Sequence, residues 1–264
     1  QTSFTQGLEV LDESIFQSSG LYGESRLSEI DLQSGNILRE MPINDSYFAE
    51  GITVLGESII MLTWKEEQAF RIDISNFSII ENYSFDGEGW GICFNGEYLV
   101  MSNGTSEISF RDPYTFEINH TIQVTWNGQP VSRINELECV GGEILANVWL
   151  QDVILSIDSI SGSVQYFISP TSITSMQGNN SNEVLNGIAF DKSSGGFWIT
   201  GKNWTHIYLI EISDLVSSDE IQETNQLASF SAIAIISIIL ILLLLGSIRN
   251  KNEPETPNFK DSPP

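Results

Sequence analysis

The stretch EGITVLGESIIMLTW, residues 50–64, reads as two short apolar strands around a Gly-Glu turn, opened by a carboxylate and closed by an indole. Strands of this length with β-branched residues and a glycine turn form an antiparallel hairpin. The same pattern returns in QGLEVLDESIFQSSG at 6–20, WGICFNGEYLVMSNG at 90–104, NELECVGGEILANVW at 135–149 and NGIAFDKSSGGFWITGK at 186–202. Each begins with a polar residue or a tryptophan, and successive starts lie 44, 40, 45 and 51 residues apart. Between them lie further strand pairs, RLSEIDLQSGNILREM, AFRIDISNFSIIENYSF, EISFRDPYTFEINHTIQV and VILSIDSISGSVQYFIS, whose Ser-Gly and Asp-Pro turns suit hairpins. Four short strands at a period of 40 to 50 residues make a propeller blade. Five openers predict an all-β, five-bladed β-propeller. No long amphipathic helix precedes Leu227, which argues against an α/β enzyme. The last blade shows only NGIAF, GFWIT and HIYLIEI; either residues upstream of Gln1 close the ring or that blade has three strands.

The repeat locates the chemistry. In an antiparallel hairpin the start of the first strand and the end of the second share one end. Innermost strands ring the central channel, so these residues converge on one mouth. Openers Gln6, Glu50, Trp90, Asn135 and Asn186 are placed there, with Trp64, Trp149 and Lys202 from the second-strand ends. A carboxylate, an ammonium, three indoles and side-chain amides at one end of a channel make a pocket. Asn186 is read as structural, because its Asn-Gly pair suits a turn.

Composition excludes several functions. Formal net charge is −24, and the whole deficit lies before Leu227, since three basic and three acidic residues follow it. So acidic a surface repels nucleic acid, and no such partner is expected. Two histidines and two cysteines in unrelated contexts offer no zinc-ligand set, so neither a metal nor a cofactor is expected. Cys93 and Cys139 fall on inner strands of adjacent blades, one position out of step; a disulfide is possible but not the default reading, and buried free thiols fit as well.

Residues 227–248, LASFSAIAIISIILILLLLGSI, carry no charge and could span a bilayer as a helix. Arg249 and Lys251 follow, whereas Asp214, Asp219, Glu220 and Glu223 precede. The positive-inside bias puts the tail in the cytoplasm and the acidic part outside the cell. The expected organisation is a propeller ectodomain over 1–213, a linker at 214–226, a transmembrane helix at 227–248 and a disordered tail at 249–264. A monomeric ectodomain is expected, behind a secretion signal removed upstream of Gln1. Seven Asn-x-Ser/Thr sequons agree with exposure outside the cell.

The motifs FTQGL at 4–8, FAEGI at 48–52, GEGWGI at 87–92, INELE at 134–138, ANVW at 146–149 and LNGIAF…TGKNW at 185–204 resemble, in order, the blade motifs of the plant and bacterial type glutaminyl-peptide cyclotransferases. The resemblance spans residues 4–212. It implies a metal-independent five-bladed propeller that closes N-terminal glutamine of peptides and proteins into pyroglutamate, with Glu50 as acid/base residue. It also implies that Phe4, Gln6, Phe48, Trp64, Trp90, Asn135, Trp149 and Lys202 line the pocket. Lys202 could hold a developing oxyanion or pair with Glu50. Two features depart from the family: its strand ahead of the first motif is missing, and the hydrophobic segment is atypical of the secreted plant enzyme. A receptor or adhesion propeller that binds without catalysis, or an inactive remnant of the site, would share the fold.

Overall fold

The computed structural model describes residues 3–177, 183–212 and 216–217. Residues Gln1–Ser217 gather into one compact unit, and the second unit, Ser218–Pro264, lies outside the described residues. The expected transmembrane helix and tail fall there, as does nearly all of the expected linker. No helix among the described residues is long and apolar enough to cross a membrane.

Five antiparallel sheets follow one another along the chain. The first holds β1 (Thr5–Leu11), β2 (Ser14–Ser19), β3 (Arg26–Asp31) and β4 (Ile37–Pro42). The second holds β5 (Ala49–Leu55), β6 (Ser58–Thr63), β7 (Gln68–Asp73) and β8 (Ile79–Ser84). In the third lie β9 (Ile92–Phe94), β10 (Leu99–Ser102), β11 (Glu107–Arg111) and β12 (Ile118–Gln123). A small hairpin of β13 (Thr125–Trp126) and β14 (Gln129–Pro130) leads into the fourth, with β15 (Ile134–Val140), β16 (Glu143–Val148), β17 (Ile154–Asp158) and β18 (Val164–Ile168). The fifth is β19 (Leu185–Phe190), β20 (Phe197–Gly201) and β21 (Tyr208–Ile210). This is the expected five-bladed propeller.

Two details concern the last stretch of the described chain. The described residues of the last blade form three strands. Within the stretch expected as linker, β22 (Val216–Ser217) pairs antiparallel with β18, giving the fourth sheet a fifth member. The outer edge of β18 offers unpaired backbone groups, and passing chain satisfies them.

Apolar residues face neighbouring blades, so the core is five clusters at five interfaces. Phe16, Ile52 and Met61 typify that between blades one and two, and Ile60, Leu62, Ile92 and Leu99 that between two and three. The closing interface between blades five and one is the sparsest, with Leu8, Ile15, Ile30 and Ala189 as its buried members. Cys93 and Cys139 form a disulfide across blades three and four, with Cα atoms 5.5 Å apart. The pair thus closes despite the single-residue offset that made free thiols an equal reading.

Candidate functional site

Four of the five inner strands slip register at their openers. Pairing jumps from Thr5 to Gly7 in β1, from Ala49 to Ile52 in β5, from Ile134 to Leu137 in β15 and from Leu185 to Ile188 in β19. A bulge bends a strand and re-aims a side chain. Here the slips fall on Gln6, Glu50, Asn135 and Asn186. The fifth opener, Trp90, lies just ahead of β9, its N–H donating to the Ser102 carbonyl at 3.1 Å.

A cavity of about 270 Å³ opens at this end of the channel, lined by Phe4, Gln6, Leu21, Phe48, Glu50, Trp64, Trp90, Asn135, Trp149 and Lys202. All nine residues expected to form the site are therefore together, drawn from positions up to 198 apart in sequence. Asn186 does not line it. Its side-chain N–H donates to the Thr5 carbonyl at 3.0 Å, which ties blade five to blade one; the role is structural, but the Asn-Gly pair lies inside β19 at a register slip and not in the expected turn.

The wall has two aromatic arcs. Phe4, Phe48 and Trp64 form one, with ring centroids 6.4 and 5.5 Å apart. Trp90 and Trp149 form the other, edge to face at 5.7 Å. Gly104 leaves room for the Trp90 ring: a Cβ there would lie 2.6 Å from the indole. Tyr22 extends the first arc, 5.4 Å from Phe48, and its hydroxyl donates to Glu66 at 2.7 Å. That bond holds the Tyr22 phenol up at about 12.

Glu50 and Lys202 are both only 6 % exposed, buried as few unpaired ions are. Burial pushes the Glu50 carboxyl well above its ordinary range, Lys202 opposes that, and Glu88 and Glu66 add to it. Burial pushes the Lys202 ammonium down, and Glu50 holds it up. The two groups feel each other across the cavity, with no direct ion pair between them. Lys202 Nζ sits 4.8 Å over the Phe4 ring. The backbone of Glu50 is held from both sides: its carbonyl accepts from Ser18 Oγ at 2.6 Å, and the next amide, Gly51 N–H, donates to the Trp90 carbonyl at 2.7 Å.

Two acceptors on the same wall are idle. Gln6 Oε1 and Asn135 Oδ1 are buried without a hydrogen-bond partner among the described residues, an arrangement that costs folding energy unless something else supplies the donor. Sequence reasoning missed Leu21, Tyr22, Glu66 and Glu88, all on loops at the mouth. A signal existed for Glu88, a lone carboxylate between two glycines two positions ahead of an opener. Among the described residues, no group of three or more His, Cys, Asp and Glu side chains is placed to hold a metal ion.

A family model described as glutamine cyclotransferase matches residues 1–212. The glutaminyl-peptide cyclotransferase of Arabidopsis thaliana is 34% identical over 215 residues, covering 80% of this chain and 67% of that one. The crystal structure of Myxococcus xanthus glutaminyl cyclase superposes with a TM-score of 0.76 at 34% identity, covering 82% of this chain and 93% of that one.

Proposed function

The chain belongs to the glutamine cyclotransferase family, and from that membership and the cavity we infer a glutaminyl-peptide cyclotransferase in which Glu50 shuttles the proton. The substrate is a peptide or protein with N-terminal glutamine. The observation that carries the mechanism is a carboxyl raised by burial, facing an ammonium, in an apolar cage that also holds two idle amide oxygens.

Cyclisation joins two groups already tethered, so the substrate supplies its own effective molarity. The neutral α-amine attacks the side-chain amide carbon. A C–N bond forms, the carbonyl electron pair moves to oxygen, and the attacking nitrogen passes a proton to Glu50. The oxygen pair then reforms the carbonyl, the bond to the amide nitrogen breaks, and Glu50 returns its proton to that nitrogen, which leaves as ammonia. One carboxyl can act in both directions when its pKa is drawn toward the working pH, and burial draws that of Glu50 that way. Lys202, with no ion-pair partner in contact among the described residues, is free to face the developing oxyanion. Gln6 Oε1 and Asn135 Oδ1 would accept from the α-amine and amide N–H groups, orienting them for attack. The aromatic arcs exclude water around the folded-back side chain.

The mechanism is tested with a Gln-initiated peptide by mass spectrometry, reading loss of ammonia. Glu50→Gln keeps the shape and removes the proton carrier, so kcat should fall about 10²- to 10⁴-fold with the fold intact. A variant that keeps most of its rate would remove Glu50 from the mechanism.

On the uncharged run 227–248, its Arg249 and Lys251 flank and the Cys93–Cys139 disulfide, the reading extends to location. The propeller would work outside the cytoplasm, where disulfides persist, tethered by that segment.

A further inference from the structure

The two aromatic arcs belong to different blades and make no ring contact across the gap between Trp64 and Trp90. One side chain spans that gap. Glu88 Oε2 accepts from Trp64 Nε1 at 2.9 Å and from Trp90 Nε1 at 2.9 Å. The other oxygen, Oε1, lies 3.7 Å from Lys65 Nζ, and that ammonium sits 3.8 Å over the Trp64 ring.

The loop is shaped to deliver this carboxylate. It runs Asp86-Gly87-Glu88-Gly89 between β8 and the opener Trp90. Gly87 has φ of +90°, a conformation glycine adopts without strain. At Gly89 a Cβ would lie 2.6 Å from the Thr63 carbonyl, so the backbone can approach the end of β6 only without a side chain. Gly89 N–H then donates to the Trp64 carbonyl at 2.9 Å. Glu88 is thus pinned by backbone to the residue whose indole it holds.

We propose that Glu88 is a positioning residue for the cyclisation: a single carboxylate oxygen, shared by two indole N–H groups, joins the halves of the aromatic wall and fixes the width of the pocket. This rests on the cyclotransferase reading above. Glu88 lines no part of the cavity itself. It acts through Trp64 and Trp90, which do. It has a second effect, since its negative charge favours the protonated form of Glu50. The other charged or titratable groups facing Glu50 are Lys202 from blade five, Glu66 from blade two and Tyr22 from blade one.

Two variants of the full chain separate these effects. Glu88→Ala leaves both indoles without an acceptor. KM for a Gln-initiated peptide should rise at least about tenfold, the loss of a charge-assisted hydrogen bond, with a much smaller change in kcat. Glu88→Gln keeps an acceptor oxygen and loses the charge. Its KM should return to within about threefold of the parent. The acid limb of kcat/KM should move to lower pH, because Glu50 loses a neighbour that holds its proton. A merely structural role would move neither quantity in this pattern. Quenching of tryptophan emission by acrylamide should increase in Glu88→Ala and not in Glu88→Gln, a readout that needs no turnover. An inactive parent would sink the cyclotransferase reading while leaving this optical test standing. Unchanged KM and quenching in Glu88→Ala overturn the proposal; should that variant not fold, Glu88→Ser, whose hydroxyl is too short to reach both indoles, is read for the same two quantities, and unchanged values there overturn it.

Discussion

Below the mouth the channel carries carboxylates that the chemistry does not use, and Glu9 gives the sharpest test of how the ring tolerates them. Glu9 on β1 accepts from Thr53 Oγ1 at 2.7 Å and from the Val54 N–H at 3.1 Å, which links blade one to blade two. Burial pushes its carboxyl from the ordinary 4.5 up to about 7, against the pull of those hydrogen bonds and of Lys192. Below pH 4.5 the group is protonated in both folded and unfolded chains and contributes nothing to pH dependence. Between 4.5 and 7 the unfolded chain ionises first, the folded chain binds more protons, and stability falls as pH rises. Above 7 the whole cost is present. At 1.36 kcal/mol per pH unit it amounts to at most about 3 kcal/mol. Glu9→Gln removes the ionisation and keeps an acceptor oxygen. For a domain near 200 residues, with about 2–4 °C per kcal/mol, its Tm relative to the parent should improve by up to about 10 °C on going from pH 4.5 to pH 8. Any fixed packing cost cancels in that comparison. Thermal melts by tryptophan fluorescence at several pH values give the answer, and parallel curves for the two proteins would refute the assignment of Glu9 as a half-buried carboxyl that retains its proton.

Two further outcomes concern the disulfide and the tail. The Cys93–Cys139 bond closes a loop of 46 residues, worth up to about 4 kcal/mol of unfolded-chain entropy, so Cys93→Ala with Cys139→Ala should lower Tm by about 8–16 °C. Free thiols titrated in the unreduced, folded parent would contradict it. Ending the chain after residue 226 should move it from the membrane pellet to the supernatant of lysed cells, and a full-length chain found in the supernatant would remove the tether.

The parts of this molecule legible in the sequence are those where residue type and repeat agree. Gln6, Glu50, Trp90 and Asn135 stood out because a pairing strand does not choose such residues for packing, and they recurred at blade spacing. Trp64, Trp149 and Lys202 followed from hairpin geometry alone. The register slips at Glu50 and Asn135 were invisible, since a bulge costs one residue of pairing and leaves no mark on an apolar pattern. Leu21, Tyr22, Glu66 and Glu88 sit on loops, where no period constrains placement. Strand β22 is two residues long, too short for any pattern, and is set by the free edge of β18. The disulfide turned on how close two neighbouring inner strands bring Cys93 and Cys139, which is a property of the ring and of no single blade.

One irregularity in the repeat explains how the mouth can be both narrow and firm. In four blades the opener is followed by glycine: Gln6-Gly7, Glu50-Gly51, Trp90-Gly91 and Asn186-Gly187. A Cβ would lie 2.5 Å from the Ile52 amide at Gly7, 2.7 Å from the Trp90 carbonyl at Gly51 and 2.1 Å from the Asn135 carbonyl at Gly91. These glycines let inner strands of neighbouring blades touch backbone to backbone. Blade four breaks the rule with Asn135-Glu136. There the side chain is fully buried, and its two oxygens accept from Leu8 N–H at 3.3 Å and Ile188 N–H at 2.9 Å, in blades one and five. Two amides that would be orphaned in the channel are thereby satisfied by one group. Burial pushes the Glu136 carboxyl up, and so do the charges of Glu138 and Glu9. It is therefore a raised carboxyl in the channel, as Glu50 is, yet it has no exposed surface and both oxygens are engaged. What separates the proton carrier from the staple is access. Glu50 opens onto a cavity with idle acceptors beside it, whereas Glu136 opens onto nothing but the backbone it holds.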